Sequence, residues 1–129
     1  MNLIELGIEK GIIKFDEEQN FITYIQQNKK RNYNNPEEKV QAETFLTLVL
    51  IYGYAEKRIK QFVSVQMGSE TKEADLIVYN DDDCHSTHIL VECKKEDLTD
   101  QQFNIAVDQA YSYAVAEGAK YVWTTSRIK

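Results

Sequence analysis

Short apolar runs through the second half of the chain have the pattern of β-strands. Residues 58–67 alternate between polar and apolar side chains, and residues 74–79 and 88–94 are short runs rich in β-branched residues. Residues 121–125 form a fourth run of this kind. The polar stretches between the first three runs predict turns, so we expect an antiparallel meander. On one side of the first strand we expect Ile59, Val63, Val65 and Met67.

Two segments have the periodicity and end signals of helices. Residues 36–52 begin with a proline suited to a first helical turn and are followed by Gly53. A second helix is predicted to begin at a capping box of Thr99 and Gln102 and to end before Gly118. The last strand therefore returns by a helical crossover. We expect an α/β fold with an α-β-β-β-α-β core, in which helices cover both faces of a central mixed sheet.

The first 35 residues carry weaker patterns. Residues 3–15 predict a short hairpin that turns at residues 9–11. Asp16 is predicted to cap a helix that runs to about Lys30. The inner face of that helix would carry Phe21, Ile22 and Ile25. We interpret residues 1–35 as an addition to a core over residues 36–125, within one domain of residues 1–129.

The composition is that of a globular protein. At 129 residues the chain is long enough for one hydrophobic core and too short for two domains. There is no apolar stretch of membrane-spanning length and no signal peptide pattern, so we expect a cytoplasmic protein without membrane contacts. Cys84 and Cys93 are predicted to be free thiols. A structural zinc site at Cys84, His85 and His88 is not expected, because no second ligand cluster completes it.

The charge balance restricts how the protein can meet DNA. The net charge of −6 disfavours strong general binding to DNA, since phosphate contacts need Lys and Arg. Basic residues nevertheless cluster at residues 29–31, 57–60 and 94–95. Most clusters of this size are solvated surface. If the domain acts on DNA, we expect another subunit or domain to deliver the substrate.

Three charged residues fall where two of the predicted strands should meet. Glu92 and Lys94 are two residues apart and therefore point to the same side of a strand. If the neighbouring strand pairs with theirs, Asp75 joins them on that side. Buried charges of this kind are costly unless something uses them. A Mg²⁺ ion, for which Mn²⁺ would substitute, explains them, with Asp75, Glu92 and the carbonyl oxygen of Cys93 as ligands. Lys94 would orient the attacking water or stabilise the transition state.

Two helices offer further candidates for this site. Glu38 lies on the inward stripe of its helix at the N-terminal end, so it is the best choice for a third acid, although a first-turn glutamate is also favoured by the helix dipole. Gln109 and Tyr113 are four residues apart on one flank of the last helix. They can hydrogen-bond towards the site, or they are a rim residue and an ordinary buried tyrosine.

Together these residues resemble the PD-(D/E)xK nuclease superfamily and, more narrowly, the N-terminal nuclease domain of type I restriction enzyme R (HsdR) subunits. The similarity runs from about residue 36 to residue 125. Its matching pieces are residues 36–40, 74–79, 90–94 and 108–113, the last containing a QxxxY element. An ExK motif alone is weak, but the ordered set is fairly specific.

The resemblance implies a restriction-endonuclease-like fold and a role for each matching residue. Asp75 and Glu92 would bind the metal, Lys94 would be catalytic, and Glu38 would complete the acidic cluster. Gln109 and Tyr113 would support DNA cleavage or its coupling to translocation. The implied partners are double-stranded DNA, a translocase module, and the specificity and methylation subunits of a restriction system.

The chain departs from the family pattern at several points. Ala74 replaces the proline of the superfamily name, and Gln41 stands where an arginine is often found. No GxxxxGK[ST] phosphate loop is present, so the chain is either a fragment of an R subunit or a freestanding relative.

Three functions therefore remain open at this point. The first is a magnesium-dependent endonuclease domain that hydrolyses DNA phosphodiester bonds. The alternative is a non-catalytic nuclease-fold module for docking or DNA-end binding, which the acidic net charge favours. A junction resolvase would share the site but should dimerise and present a broad basic face.

Overall fold

A computed structural model of the chain describes residues 1–126, which form helices packed against two β-sheets. The N-terminal elements are α1 (Leu3–Glu9), β1 (Ile13–Phe15), β2 (Phe21–Tyr24) and β3 (Lys29–Asn32). They are followed by α2 (Pro36–Leu46), a π-helical turn (Thr47–Ile51) and a 3-10 turn (Glu56–Arg58). The remaining elements are β4 (Ile59–Met67), β5 (Glu70–Tyr79), β6 (Thr87–Cys93), α3 (Asp100–Glu117) and β7 (Tyr121–Thr125).

The larger sheet confirms the predicted meander and crossover. Its strand order is β4-β5-β6-β7, with antiparallel pairing as far as β6 and parallel pairing between β6 and β7. The largest difference in extent is that β5 begins at Glu70, so the predicted turn over residues 68–73 is too long. Gly68, at φ +63°, allows a much tighter connection there.

Both predicted helices of the core are present. Asn35 caps α2 by accepting a hydrogen bond from the backbone N–H of Glu37, and the helical segment closes at Gly53, at φ +77°. The predicted capping box opens α3, and Gly118 ends it at φ +71°. Within residues 1–126, none of the helices combines the length and the hydropathy that crossing a membrane requires.

Helices α2 and α3 cover opposite faces of the larger sheet, as predicted. Phe45 of α2 belongs to one buried cluster with Val91 of β6, whereas Tyr113 of α3 belongs to a second cluster with Leu90. Neighbouring residues of a strand point to opposite faces. The two clusters therefore lie on the two sides of the sheet.

The predicted hairpin over residues 3–15 is wrong, because residues 3–9 form a helix. The side chain of Asn2 caps this helix by accepting a hydrogen bond from the backbone N–H of Glu5 at 2.8 Å. Gly7 lets the helix approach α2 closely, since a Cβ atom there would lie 2.8 Å from Leu46 Cδ2. Tertiary packing thus selects a helix too short to be stable by itself.

The predicted helix over residues 16–30 is also wrong. Asp16 closes a turn by accepting a hydrogen bond from the backbone N–H of Phe21, and the chain continues into β2 and β3. Burial along β2 follows a period of two, with Ile22 and Tyr24 buried and Phe21 exposed. Ile25 is exposed as well, so only Ile22 of the three predicted inner residues is buried.

The side chains of β4 do not all lie on one side. Phe62 has a φ of +57°, and the regular pairing with β5 is interrupted at this residue. Ile59 packs in the first buried cluster, whereas Val63 and Val65 pack in or against the second. The expectation that Ile59 shares a side with Val63, Val65 and Met67 is therefore wrong, because the strand twists at Phe62.

The N-terminal 35 residues share the core of the rest of the chain. Ile13, Ile22 and Tyr24 are buried in the same cluster as Phe45 and Val91. Two of these side chains, Ile22 and Tyr24, have no exposed surface. The N-terminal sheet therefore packs as part of the domain interior rather than beside it.

Candidate active site

The acidic residues of β5 and β6 are joined at the point where the strand pairing ends. Leu76 pairs with Val91. Beyond this pair, backbone N–H groups of β5 and β6 donate hydrogen bonds to side chains of the neighbouring strand. The N–H of Cys93 donates to Asp75 Oδ2 at 2.7 Å, and the N–H of Asp75 donates to Glu92 Oε1 at 3.2 Å. This reciprocal arrangement fixes both carboxylates where β6 ends, beside the middle of β5.

Burial makes negative charge costly on both of these carboxyl groups. Loss of hydration, followed by the charge of Asp75, raises the pKa of Glu92 from 4.5 to about 8. Burial also raises the pKa of Asp75, although the Cys93 N–H and the Lys94 charge oppose the change. The two acids therefore compete for ionisation, and a bound cation would relieve the competition.

Lys94 follows β6 and lies half-buried near both acids. Its backbone N–H donates to the carbonyl oxygen of Thr125 at 2.9 Å, which ties the residue to the end of β7. Its positive charge lowers the pKa of Asp75 and of Glu92. Within residues 1–126, Lys94 forms no ion pair shorter than 4.0 Å, so its ammonium group is not locked to either acid.

Glu38 lies beside this pair but is held by the N-terminal sheet. Its Oε2 accepts a hydrogen bond from the Tyr24 hydroxyl at 2.5 Å, and its Oε1 lies 3.7 Å from Arg31 Nε. Burial raises the pKa of Glu38, and the charge of Asp75 adds to the increase. The carboxylates of Glu38, Asp75 and Glu92 do not form a group with all ligand atoms within 4.8 Å in the described chain.

Gln41 connects the helix of Glu38 to the strand of Asp75. Its side-chain Nε2 donates to the carbonyl oxygen of Asp75 at 3.1 Å. The position that departs from the family pattern thus anchors the backbone of the site.

Gln109 and Tyr113 contact each other on α3. Gln109 Nε2 donates to the Tyr113 hydroxyl at 2.8 Å, and Tyr113 is buried in the cluster that contains Ala74, the neighbour of Asp75. Within the described chain, no hydrogen bond joins this pair to Asp75, Glu92 or Lys94. The pair therefore borders the strand of Asp75 without being bonded to the acids.

Sequence reasoning missed the residues that the N-terminal sheet brings to the site. Tyr24 bonds Glu38, and Arg31 lies beside it with its guanidinium 3.7 Å from the centre of the Phe62 ring. Because Gln61 pairs with Leu76 and Val63 with Ala74, Phe62 is opposite Asp75 on the neighbouring strand. The period-two pattern of residues 21–24 was the available signal for this sheet.

A second group of possible metal ligands lies in the loop between β5 and β6. Ligand atoms of Asp81, Asp83 and His85 lie within 4.8 Å of one another. Asp81, however, accepts hydrogen bonds from the backbone N–H groups of His85 and Ser86, so its carboxylate shapes the loop. The group includes neither cysteine, and both Cys84 and Cys93 are free thiols, as predicted.

The donor set at the end of β6 suits a hard divalent cation. Asp75 and Glu92 each use one oxygen to accept a backbone hydrogen bond, and in the described chain their second oxygens, Oδ1 and Oε2, accept none from the backbone. Oxygen donors with several water ligands are what Mg²⁺ prefers. The side chains of Asp75 and Glu92 therefore fit a magnesium site better than a zinc site.

Comparison with known proteins places the chain in a family. The model of the type I restriction enzyme R protein N terminus (HSDR_N) matches residues 36–128. This match covers most of the chain, and the protein belongs to that family. No significant match was found among curated proteins or among solved structures.

Proposed function

We propose that this domain is a magnesium-dependent DNA endonuclease of the PD-(D/E)xK type, with a restriction-endonuclease-like fold. The observation that carries the proposal is the buried Asp75–Glu92 pair, held by reciprocal backbone hydrogen bonds beside Lys94. Family membership supports it, because R proteins belong to restriction systems. A pair of buried acids with raised pKa values beside a lysine is a typical functional-site pattern.

In the proposed site, Asp75 and Glu92 hold the metal through their carboxylates, and the carbonyl oxygen of Cys93 is a further ligand. The bound Mg²⁺ would polarise the scissile phosphate and activate a water molecule. Glu92 must release its proton to act as a ligand, which its raised pKa makes a pH-dependent step.

Lys94 has a separate role in this proposal. Its ammonium group lies near both acids without an ion pair, so it is available to a phosphate oxygen or to the attacking water. A positioned cation of this kind stabilises the negative charge that develops in the transition state.

The other candidate residues support the site from two sides. Glu38 would act beside this pair as a third acid that tunes Asp75 by its charge, with Tyr24 and Arg31 holding it in place. Gln109 and Tyr113 would contact the DNA or transmit its movement from the face covered by α3.

The proposed partners follow from the family. R proteins act in restriction systems, so we propose that double-stranded DNA is the substrate. A translocase module and specificity and methylation subunits would bring the DNA to the domain in the cytoplasm. The net charge of −6 is consistent with a need for such delivery.

Plasmid cleavage tests the proposal. We expect linear or nicked product with Mg²⁺ or Mn²⁺ but none with EDTA, and a loss of at least about 100-fold for Lys94→Ala. Lys95→Ala is the matched control, since this exposed neighbour pairs with Asp97 at 3.8 Å. Equal metal-dependent cleavage by Lys94→Ala and wild type would contradict the proposed role of Lys94.

The second candidate is a non-catalytic module that docks other subunits or DNA ends. The acidic net charge favours this function, because it weakens independent contact with DNA. If the domain binds DNA without a metal and cleaves none in the presence of the other subunits, the non-catalytic function is supported.

A further inference from the structure

A cleft without acidic residues lies along the open edge of β4. It has a volume of about 400 Å³ and is bounded on its other side by the turn between β2 and β3. Within the described chain no carboxylate lines it, although the chain has 21 acidic residues. Its polar lining consists of Gln26, Gln27, Lys29, Lys57, Lys60 and Gln61.

The fold brings two separate basic clusters of the sequence to this cleft. Lys29 comes from the N-terminal sheet, whereas Lys57 and Lys60 flank the start of β4. Gln27 holds the two sides together, since its Nε2 donates to Gln61 Oε1 and its Oε1 accepts from the Gln61 N–H, both at 2.8 Å. Because Gln61 is only 2% exposed, this connection is a fixed part of the interior.

Two of the three lysines are available to an external anion. Lys57 pairs with Asp82 at 3.2 Å. Lys29 and Lys60 are exposed and form no ion pair within 4.0 Å in the described part of the chain. The exposed amide of Gln26 adds a neutral hydrogen-bonding group. The ammonium groups of Lys29 on β3 and Lys60 on β4 line one cleft, which suits contacts with the phosphates of a nucleic-acid backbone.

The cleft leads to the acidic site. Phe62 lines the cleft and is also the residue opposite Asp75 on the neighbouring strand. Neighbouring strands of a sheet lie about 5 Å apart. The Arg31 guanidinium lies over the Phe62 ring, 3.7 Å from its centre, and the Arg31 side chain is 41% exposed. Arg31 also pairs with Glu38 at 3.7 Å and with Glu73 at 3.9 Å, so its guanidinium already balances acidic charge beside the site.

We infer that this cleft binds the phosphodiester backbone of duplex DNA and guides one strand to Asp75 and Glu92. Lys29 and Lys60 would contact phosphates of the backbone. The choice of DNA as the partner rests on the proposed function. The surface itself is formed largely by N-terminal residues and by β4, and part of it lies outside residues 36–128 that match the family.

Fluorescence anisotropy with a labelled duplex oligonucleotide in EDTA tests this inference without the metal site. For Lys29→Gln with Lys60→Gln we expect a loss of about tenfold in affinity at 50 mM salt and a salt slope smaller by about 2. The control is Lys72→Gln with Lys120→Gln, which removes the same charge from the first residues of β5 and from the residue before β7. The control should bind DNA nearly as well as wild type.

Two results would overturn the inference. One is a wild-type protein that does not bind the duplex at low salt. The other is that the two double variants bind the duplex with equal affinity and equal salt slope, while their urea unfolding midpoints equal that of the wild type. Failure of the proposed nuclease is distinguishable, because it would abolish cleavage or metal binding while leaving the anisotropy result intact.

Discussion

The stability of the metal-free protein should fall as the pH rises from 5 to 8. The folded state raises the pKa of Glu92 from 4.5 to about 8, mainly through burial and the charge of Asp75. Between these values the folded protein keeps a proton that the unfolded chain releases. The contribution of the Glu92 proton to the free energy of unfolding is therefore complete below pH 4.5 and is lost as the pH approaches 8.

The size of the effect follows from the pKa difference. Each pKa unit corresponds to about 1.4 kcal/mol, so the rise to about 8 gives a ceiling of about 5 kcal/mol. Because Asp75 and Glu92 titrate as a pair, the measured loss should lie below this ceiling. A domain with a total stability of about 5–15 kcal/mol would show this change clearly.

Urea unfolding in EDTA at several pH values measures it. Glu92→Gln keeps the oxygen that accepts from the Asp75 N–H but removes the titration, so its stability should vary much less between pH 5 and 8. Glu9→Gln, at an exposed helix end, is the control and should follow the wild type. If the stability of the wild type is constant or rises over this range, the conclusion that burial raises the pKa values of Asp75 and Glu92 is refuted.

Three further changes test the packing around the site. Tyr24→Phe removes the hydrogen bond to Glu38 and should cost about 1–3 kcal/mol in urea unfolding, because it leaves a buried carboxylate less satisfied. Gly7→Ala should lower stability by about 1 kcal/mol despite a better helix propensity, since the new Cβ would lie 2.8 Å from buried Leu46; an unchanged melting temperature would contradict this. Deletion of residues 1–35 should abolish cooperative unfolding measured by circular dichroism, because these residues complete the first buried cluster. A truncated chain that still unfolds cooperatively would show that the N-terminal sheet is dispensable.

The larger sheet and its two helices were predictable because local signals agree there with the tertiary fold. The capping box of Thr99 and Gln102 and the glycine at residue 118 define α3 by themselves. Similarly, the alternation of residues 58–67, the short apolar runs that follow and the polar turns between them indicate the strands. The pairing of β5 with β6 then brings Asp75 next to Glu92, as the sequence predicts.

Apart from the period-two pattern of residues 21–24, local patterns do not indicate the N-terminal elements. Helix α1 has seven residues, and β1 has three. Elements this short are stable only through packing, and a sequence pattern does not reveal which partner they pack against. The contact of Gly7 with Leu46 and the docking of Gln27 on Gln61 supply that information.

The same limit applies to the surroundings of the candidate site. The prediction that Glu38 lies on the inward side of α2 is confirmed, because this residue is only 6% exposed. Its partners Tyr24 and Arg31 come from strands that the sequence pattern did not predict. The side chains of β4 change sides at Phe62, a non-glycine residue with a positive φ. No sequence rule indicates this backbone conformation.

Calorimetric titration of Mn²⁺ at pH 8 tests the central claim, that Asp75 and Glu92 hold a divalent metal. The wild type should bind Mn²⁺ saturably, and Asp75→Ala should lose this binding. Asp83→Ala, in the second acidic group, is the control and should bind as the wild type does. An absence of binding to the wild type, or binding that persists in Asp75→Ala and disappears in Asp83→Ala, would contradict the account.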